Sequence, residues 1–188
     1  MVKRDPAAAA ATKDVILRAA QAEFARAGYD GATVRAIAGA AGVDPALVLH
    51  YFGSKEALYG ATLASAEGIP QRMLATLDGP PQGFARRLAT AYFEVWEDLD
   101  SAPVLASVVR SVLTNTTAAE VVRRLLEGTL LAAGSARWAP ERLNLAAAQL
   151  YGLSIARYVV HTEPLASMRR EEVVELVAPH LQSLLDGN

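Results

Sequence analysis

TVRAIAGAAGVDPALVLHYFGSKEAL, Thr33 to Leu58, reads as a short helix, a glycine turn, a second short helix and the capped start of a third. Ile37, Ala38 and Ala41 make one apolar face, Gly42 follows where a left-handed turn is needed, and Val43, Val48 and Tyr51 resume the face. Two helices joined by so tight a turn cross steeply, which is helix-turn-helix geometry. Ala38 suits the close approach of the pair. Thr33 is an N-cap for the first helix and Asp44 for the second, with Pro45 at the position where a missing N–H costs nothing. The exposed side of the second helix then carries Pro45, Ala46, Leu49 and His50, and in a helix-turn-helix that side enters a major groove.

Ser54-Lys55-Glu56 adds an independent argument. Ser54 caps a new helix and Lys55 lies in its first turn, where the macrodipole disfavours a cation. A phosphate docked on that helix end would resolve the conflict. Left exposed and solvated, the lysine would lose only a few tenths of a kcal/mol. Beside the helix-turn-helix pattern, the phosphate reading is preferred.

From Ile16 to Leu58, ILRAAQAEFARAGYDGATVRAIAGAAGVDPALVLHYFGSKEAL resembles the TetR-like transcriptional repressors, with a helix ending in Ala27-Gly28-Tyr29 before the helix-turn-helix and HYFGSKEAL closing it. A weaker similarity to one group of TetR-like effector domains continues through GLSIARYVVHTEPLAS, Gly152 to Ser167, and the following VAPHLQ. By position in the motif, the resemblance puts DNA-facing residues at Thr33, Asp44, Pro45, Ala46, Leu49, His50, Tyr51 and Lys55. Thr33 and Lys55 become phosphate contacts, and Tyr51 is shared between core and backbone. Many members carry a tyrosine where this chain has Leu49, which cannot donate the same hydrogen bond. Apolar contact with thymine methyls and shape readout are expected at Pro45, Ala46 and Leu49, leaving His50 as the polar base-reading candidate.

Among 188 residues, 52% are hydrophobic and none is cysteine, so the chain can bury a core and has no disulfide or thiolate metal site. No cofactor or metal is implied. Lys3-Arg4-Asp5-Pro6 leads only into a short alanine run, not a signal peptide. Nothing approaches ~18 uninterrupted apolar residues, so no membrane partner and a cytoplasmic location are expected. The formal net charge is −2, split as +1 over residues 1–60 and −3 over the remainder. That asymmetry is weak for a DNA binder, so affinity must come from a few placed contacts doubled by a dimer. Lys3, Arg4 and Lys13 could extend the footprint as an N-terminal arm, although a solvated, disordered tail is the preferred reading of Lys3 and Arg4.

Beyond Leu58 the period is nearly all helical, broken at Gly68–Pro70, Gly79–Pro81, Pro103, Ala139–Pro140 and Glu163–Pro164, without sustained strand alternation or fixed repeat. The expected fold is all-α, an N-terminal three-helix helix-turn-helix domain at 1–54 joined to a helical effector-binding and dimerisation domain at 55–188, with about nine or ten helices. The spacing predicts helices over 12–28, 34–41, 45–51, 55–67, 70–78, 82–99, 103–114, 117–134, 140–162 and 169–186. The last two carry more apolar surface than one core-facing stripe needs. Leu143, Ala147, Leu150, Ser154 and Arg157 on one, and Val173, Val177, Leu181 and Leu184 on the other, are the candidate dimer interface; burial of both helices within one subunit's core is the competing reading. The resemblance implies a four-helix homodimer interface here, bringing two recognition helices to a near-palindromic operator.

Tyr92, Phe93 and Trp96, then Arg110, Thr114 and Asn115, then Gln149, Tyr151 and Tyr158 could assemble an apolar-walled pocket with a few polar groups. Aromatics at helical spacing more often fill cores. The resemblance implies a small-molecule effector site in this region, and hence a ligand-responsive repressor of operator DNA. Two other classes compete with this reading. An enzyme finds no support, since His50, His161 and His180 form no HExxH pair and there is no GxSxG elbow or phosphate loop. The carboxylates Glu94, Glu97, Asp98 and Asp100 spread around a helix end. A ligand-independent DNA binder would share the helix-turn-helix and have a solid core where the effector site is expected.

Overall fold

The computed structural model describes residues 6–65, 68–99 and 101–187, so the Lys3–Arg4 arm and Asp100 lie outside the described residues. Ten main helices and, among the described residues, no strand make up the fold. They are α1 (Pro6–Gly31), α2 (Val34–Ala41), α3 (Pro45–Phe52), α4 (Lys55–Ser65), α5 (Ile69–Ala75), α6 (Phe84–Glu97), α7 (Ser101–Thr114), α8 (Thr116–Leu126), α9 (Pro140–Ser154) and α10 (Arg170–Asp186). A π-helical turn, Glu127–Leu131, and a single α-turn, Ala132–Gly134, prolong α8, and a second π-helical turn, Ile155–Val159, prolongs α9. The helix expected from residue 12 begins at Pro6, because the alanine run is itself strongly helix-forming. Gly28, expected to end that helix, instead kinks it with φ 70 and ψ 178.

Two compact units result. Met1–Ala66 and Pro103–Arg123 make one; Glu67–Ala102 and Arg124–Asn188 make the other. The expected cut at 54/55 therefore differs from the packing. Ser54 does start a new helix, but Leu58, Tyr59, Thr62 and Leu63 of α4 are buried and α4 packs along α1. In the first unit Ile16, Ala20 and Phe24 of α1 join Ile37 and Ala38 of α2, Val48 of α3, and Leu58 and Tyr59 of α4 in the core. The expected apolar face is thus present, with Ala41, Val43 and Tyr51 half-buried at its rim.

In the second unit, Phe84, Leu88 and Phe93 of α6 pack with Leu143, Ala146 and Leu150 of α9 and with Val173, Val174, Ala178, Leu181 and Leu185 of α10. Trp138 stacks on Phe84 at 4.3 Å between ring centroids. This core takes the stripe assigned above to a dimer partner. Leu143, Leu150, Ser154, Arg157, Val173 and Leu181 are all buried within one subunit, while Ala147, Val177 and Leu184 are half-buried. Both helices are apolar on more than one side, and periodicity alone does not say which side the core takes. The outward side of α9 carries Leu145, Ala148, Tyr151 and Gly152, and that of α10 carries Leu176, Pro179 and His180. Leu145 and Leu176 are 54% and 70% exposed. No described helix is long and apolar enough to cross a membrane.

Candidate nucleic-acid interface

Three caps build the interface. Thr33 Oγ1 accepts the Ala36 N–H at 3.1 Å, Asp44 Oδ1 accepts the Ala46 N–H at 2.7 Å, and Ser54 Oγ accepts the Ala57 N–H at 3.1 Å. Each such cap contributes about 1 kcal/mol. Between the first two, Gly42 is left-handed at φ 67, and the Val43 N–H bonds the Ala38 carbonyl at 3.0 Å to close the turn. Because α2 ends there and Pro45 opens α3, α3 is fixed at both its start and its angle to α2.

The expected DNA-facing residues lie in the same unit, Thr33, Asp44, Ala46, Leu49 and His50 exposed and Pro45, Tyr51 and Lys55 half-buried. Leu49 exposes 44% of its surface, an apolar residue held outward on a helix whose other side is buried. The His50 and Tyr51 rings meet edge to face at 5.5 Å. Thr33 and Asp44 direct oxygens at their helix N-termini; the Thr33 hydroxyl can still donate, whereas the Asp44 carboxylate serves the cap.

Lys55 lies in the first turn of α4, as expected, and there it meets an aromatic ring. Its Nζ sits 4.5 Å from the centroid of the Tyr29 ring. A cation over an aromatic face gains about 0.5–1 kcal/mol at an exposed site, enough to offset the few tenths lost to the α4 dipole. The dipole conflict therefore does not by itself require a phosphate. Lys13, a candidate for the DNA arm, likewise lies over the Phe52 ring at 5.5 Å. Sequence reasoning passes over Arg35, exposed in the first turn of α2 and without an ion pair among the described residues. The signal is present in the sequence: it is a cation at a helix N-terminus, as Lys55 is.

Of the nine residues expected around an effector, five come together in the second unit. Tyr92 and Tyr151 lie 6.3 Å apart between rings, Phe93 and Tyr158 6.4 Å, and Trp96 stacks on Tyr158 at 5.3 Å and 3°. Tyr92 Oη and Ser154 Oγ share a hydrogen bond of 2.9 Å. Tyr158 donates to Glu97 Oε1 at 2.9 Å, and Arg157 reaches the same carboxylate at 3.4 Å. Arg157 also donates to the Met168 carbonyl at 2.6 Å and to that of Leu165, tying down the chain between α9 and α10. Burial pushes the Tyr92 and Tyr151 hydroxyls up and Tyr158 up to about 12, so all three are neutral donors at physiological pH. The Trp96 indole N–H is buried beside the Tyr92 hydroxyl and meets no hydrogen-bond partner within ordinary geometry among the described residues.

Gln149 is half-buried and makes none of these ring contacts. Arg110, Thr114 and Asn115 belong to the other unit. Arg110 Nη2 approaches the Ala25 carbonyl at 3.4 Å and Asn115 Nδ2 donates to Asp30 at 2.6 Å, while Thr114 bonds back to the Arg110 carbonyl at 3.0 Å. The expected helix over 103–114 is present as α7, but its C-terminal half is fastened to α1. A shallow depression of about 450 Å³ also lies in the first unit, between Val15, Arg18 and Ala22 of α1 and Ala40 of α2.

A helix-turn-helix with an outward α3 and a separate helical unit is the arrangement that comparison with known proteins extends to nearly the full chain. Residues 16–62 match the bacterial regulatory proteins of the tetR family, and residues 82–185 match the tetracyclin repressor-like C-terminal domain. This chain belongs to the TetR family. It is a DNA-binding transcriptional regulator of that family. A TetR-family regulator from Streptomyces coelicolor is 34% identical, with a TM-score of 0.72 over 98% of this chain and 99% of that one. Salmonella enterica GusR, 22% identical over 93% of this chain and 95% of its own, shares the fold at a TM-score of 0.67. So does the multidrug binding protein EbrR, solved with ethidium, which is 22% identical over 90% of this chain and 97% of its own at a TM-score of 0.67. No curated protein matches the chain.

Proposed function

We propose that this TetR-family member is a homodimeric repressor released from a near-palindromic operator by a small molecule. The observation that carries the DNA half is α3, capped at Asp44 and turned out of the core so that Ala46, Leu49 and His50 are exposed together. Ala46 and Leu49 suit thymine methyl groups, and His50 supplies the polar contact. Thr33, Arg35 and Lys55 supply cations and a hydroxyl at helix N-termini for the phosphate backbone.

Support for an effector comes from the cluster of Tyr92, Phe93, Trp96, Tyr151 and Tyr158, where neutral hydroxyls and the unbonded Trp96 N–H accompany flat apolar faces. That EbrR binds ethidium adds an example of an aromatic ligand in the same fold. Dimerisation falls to the outward strip of Leu145, Tyr151 and Leu176, since the stripe running through Leu143, Leu150, Val173 and Leu181 is occupied by the subunit's own core. A ligand would act by favouring a dimer whose two recognition helices no longer match successive major grooves.

The test is selection of bound fragments from random DNA, followed by small-molecule challenge of the enriched complex. An inverted repeat with half-sites about one turn apart, released by an aromatic compound, is expected. A second reading, a ligand-independent regulator, is favoured by the close packing of Phe93 and Trp96, which are 0% and 6% exposed. It predicts the same inverted repeat with no release by any compound, whereas the effector reading predicts release that a Trp96→Phe variant weakens.

A further inference from the structure

The kink in α1 leaves backbone groups that a continuous helix would satisfy, and α7 takes them. With Gly28 at φ 70, the Tyr29 N–H donates to Ser111 Oγ at 3.0 Å instead of to a helical carbonyl. One turn earlier on α7, Ser107 Oγ donates to the Phe24 carbonyl at 2.6 Å. Tyr29 is thereby held from two directions. Its backbone is fixed by α7, and the residue is 4% exposed, its ring stacked with Phe24 at 6.2 Å and tilted against Tyr59 at 5.1 Å. One face remains for the Lys55 ammonium at 4.5 Å, and the Glu56 carboxylate lies beside the hydroxyl.

We propose that Tyr29 is a positioning residue for DNA binding, a rigid aromatic seat that holds the Lys55 ammonium at the N-terminus of α4 for a backbone phosphate. Four rotatable bonds separate Nζ from the main chain, and an unseated lysine at a helix N-terminus is driven outward by the dipole into many rotamers. The ring counters this by attracting the cation without neutralising it, so the full charge remains for the phosphate. A carboxylate in the same place would also fix the lysine, but would compete with the phosphate for it. Glu56 is the available competitor: its carboxyl is held below the usual range first by the Ser54 hydroxyl, then by its own N–H and by the Tyr29 hydroxyl, so it is anionic but occupied with donors. The inference rests on Lys55 being a phosphate contact as proposed above, and adds what places it there.

The experiment is the salt dependence of binding to the duplex enriched from random DNA and to a non-specific duplex of equal length, using the full chain. Lys55→Ala should lower the slope of log K against log salt by about one unit per lost contact, hence about two for a dimer. Tyr29→Leu, which keeps an apolar core residue but removes the aromatic face, should lower the slope in the same direction on both duplexes. Tyr29→Leu combined with Lys55→Ala should show no further fall beyond Lys55→Ala alone, and Tyr29→Phe, which keeps the ring and leaves the Ser54 hydroxyl and the Glu56 N–H on the Glu56 carboxylate, should retain the wild-type slope. A Lys55→Ala slope equal to wild type would overturn the phosphate contact itself. A lowered Lys55→Ala slope with an unchanged Tyr29→Leu slope, or with additive losses in the double variant, would leave that contact standing and overturn the positioning role. If Tyr29→Leu does not fold, the wild-type protein decides. Ring currents should shift the terminal methylene protons of Lys55 upfield, and random-coil positions for them would overturn the seat.

Discussion

His50 and Arg35 are both exposed on the helix-turn-helix, and the roles proposed for them differ with their chemistry. His50 is on α3, exposed, with its ring meeting that of Tyr51 edge to face, and a base edge is its proposed partner. Arg35 is on α2 near its N-terminus, where phosphate is the natural partner. His50→Ala should therefore change the ranking among operator variants while leaving the salt slope unaltered. Arg35→Ala should weaken all duplexes alike and lower the slope by about one unit per contact. A selection experiment run with each variant separates the two; interchanged effects would mean that α2 and α3 carry the opposite roles. A second prediction concerns the tyrosines. The Tyr29 hydroxyl is pushed up to about 12, mainly by burial and then by Glu56, and Tyr158 reaches about 12 by burial. The folded state thus holds these protons more tightly than the unfolded chain, whose tyrosines titrate near 10. The stabilisation is complete below pH 10 and is lost as pH rises from 10 towards 12. Ultraviolet titration should show late tyrosinate formation, with two fewer late groups in Tyr29→Phe/Tyr158→Phe.

Caps decide where the elements of the first unit begin, and caps are local in sequence. Thr33, Asp44 and Ser54 are legible from the chain alone because a side-chain oxygen one residue ahead of a helix has one geometry to satisfy. Asp44→Ala should cost about 1 kcal/mol in denaturant-unfolding stability by removing the 2.7 Å bond to the Ala46 N–H. Gly42→Ala should cost about 1 kcal/mol for a different reason: a Cβ there meets nothing within 4 Å, so the whole effect is the left-handed backbone. A loss of several kcal/mol from Gly42→Ala would mean that the turn rearranges. What local reasoning misses has non-local causes. The apolar stripes of α9 and α10 are evident in the sequence, but the choice of which stripe faces the core depends on α6 itself, whose Phe84, Leu88 and Phe93 share that core with both helices. Arg110 and Asn115 group with Tyr92 by chain order; their bonds to Ala25 and Asp30 span 85 residues each and leave no trace in local periodicity.

At the scale of the whole molecule, the two sides of α10 should respond to substitution in opposite ways. Leu181 is 0% exposed in the second unit's core and Leu176, less than two turns away, is 70% exposed. Leu181→Ala removes buried apolar surface and opens a cavity, which should cost about 2–5 kcal/mol of unfolding free energy. Leu176→Glu changes an exposed position and should alter a subunit's intrinsic stability by no more than about 0.5 kcal/mol. It places a carboxylate in the strip shared with Leu145 and Tyr151, however, and burying that charge against its symmetry mate would be opposed by both desolvation and like-charge repulsion. Sedimentation should therefore show Leu176→Glu as a monomer at concentrations where wild type is a dimer. Operator affinity should fall with it, because each subunit would contribute one half-site and lose the coupling of the other. A Leu176→Glu variant that remains dimeric would move the interface off this strip, with Val159 and Val160, 41% and 65% exposed, as the next apolar surface of the second unit to substitute.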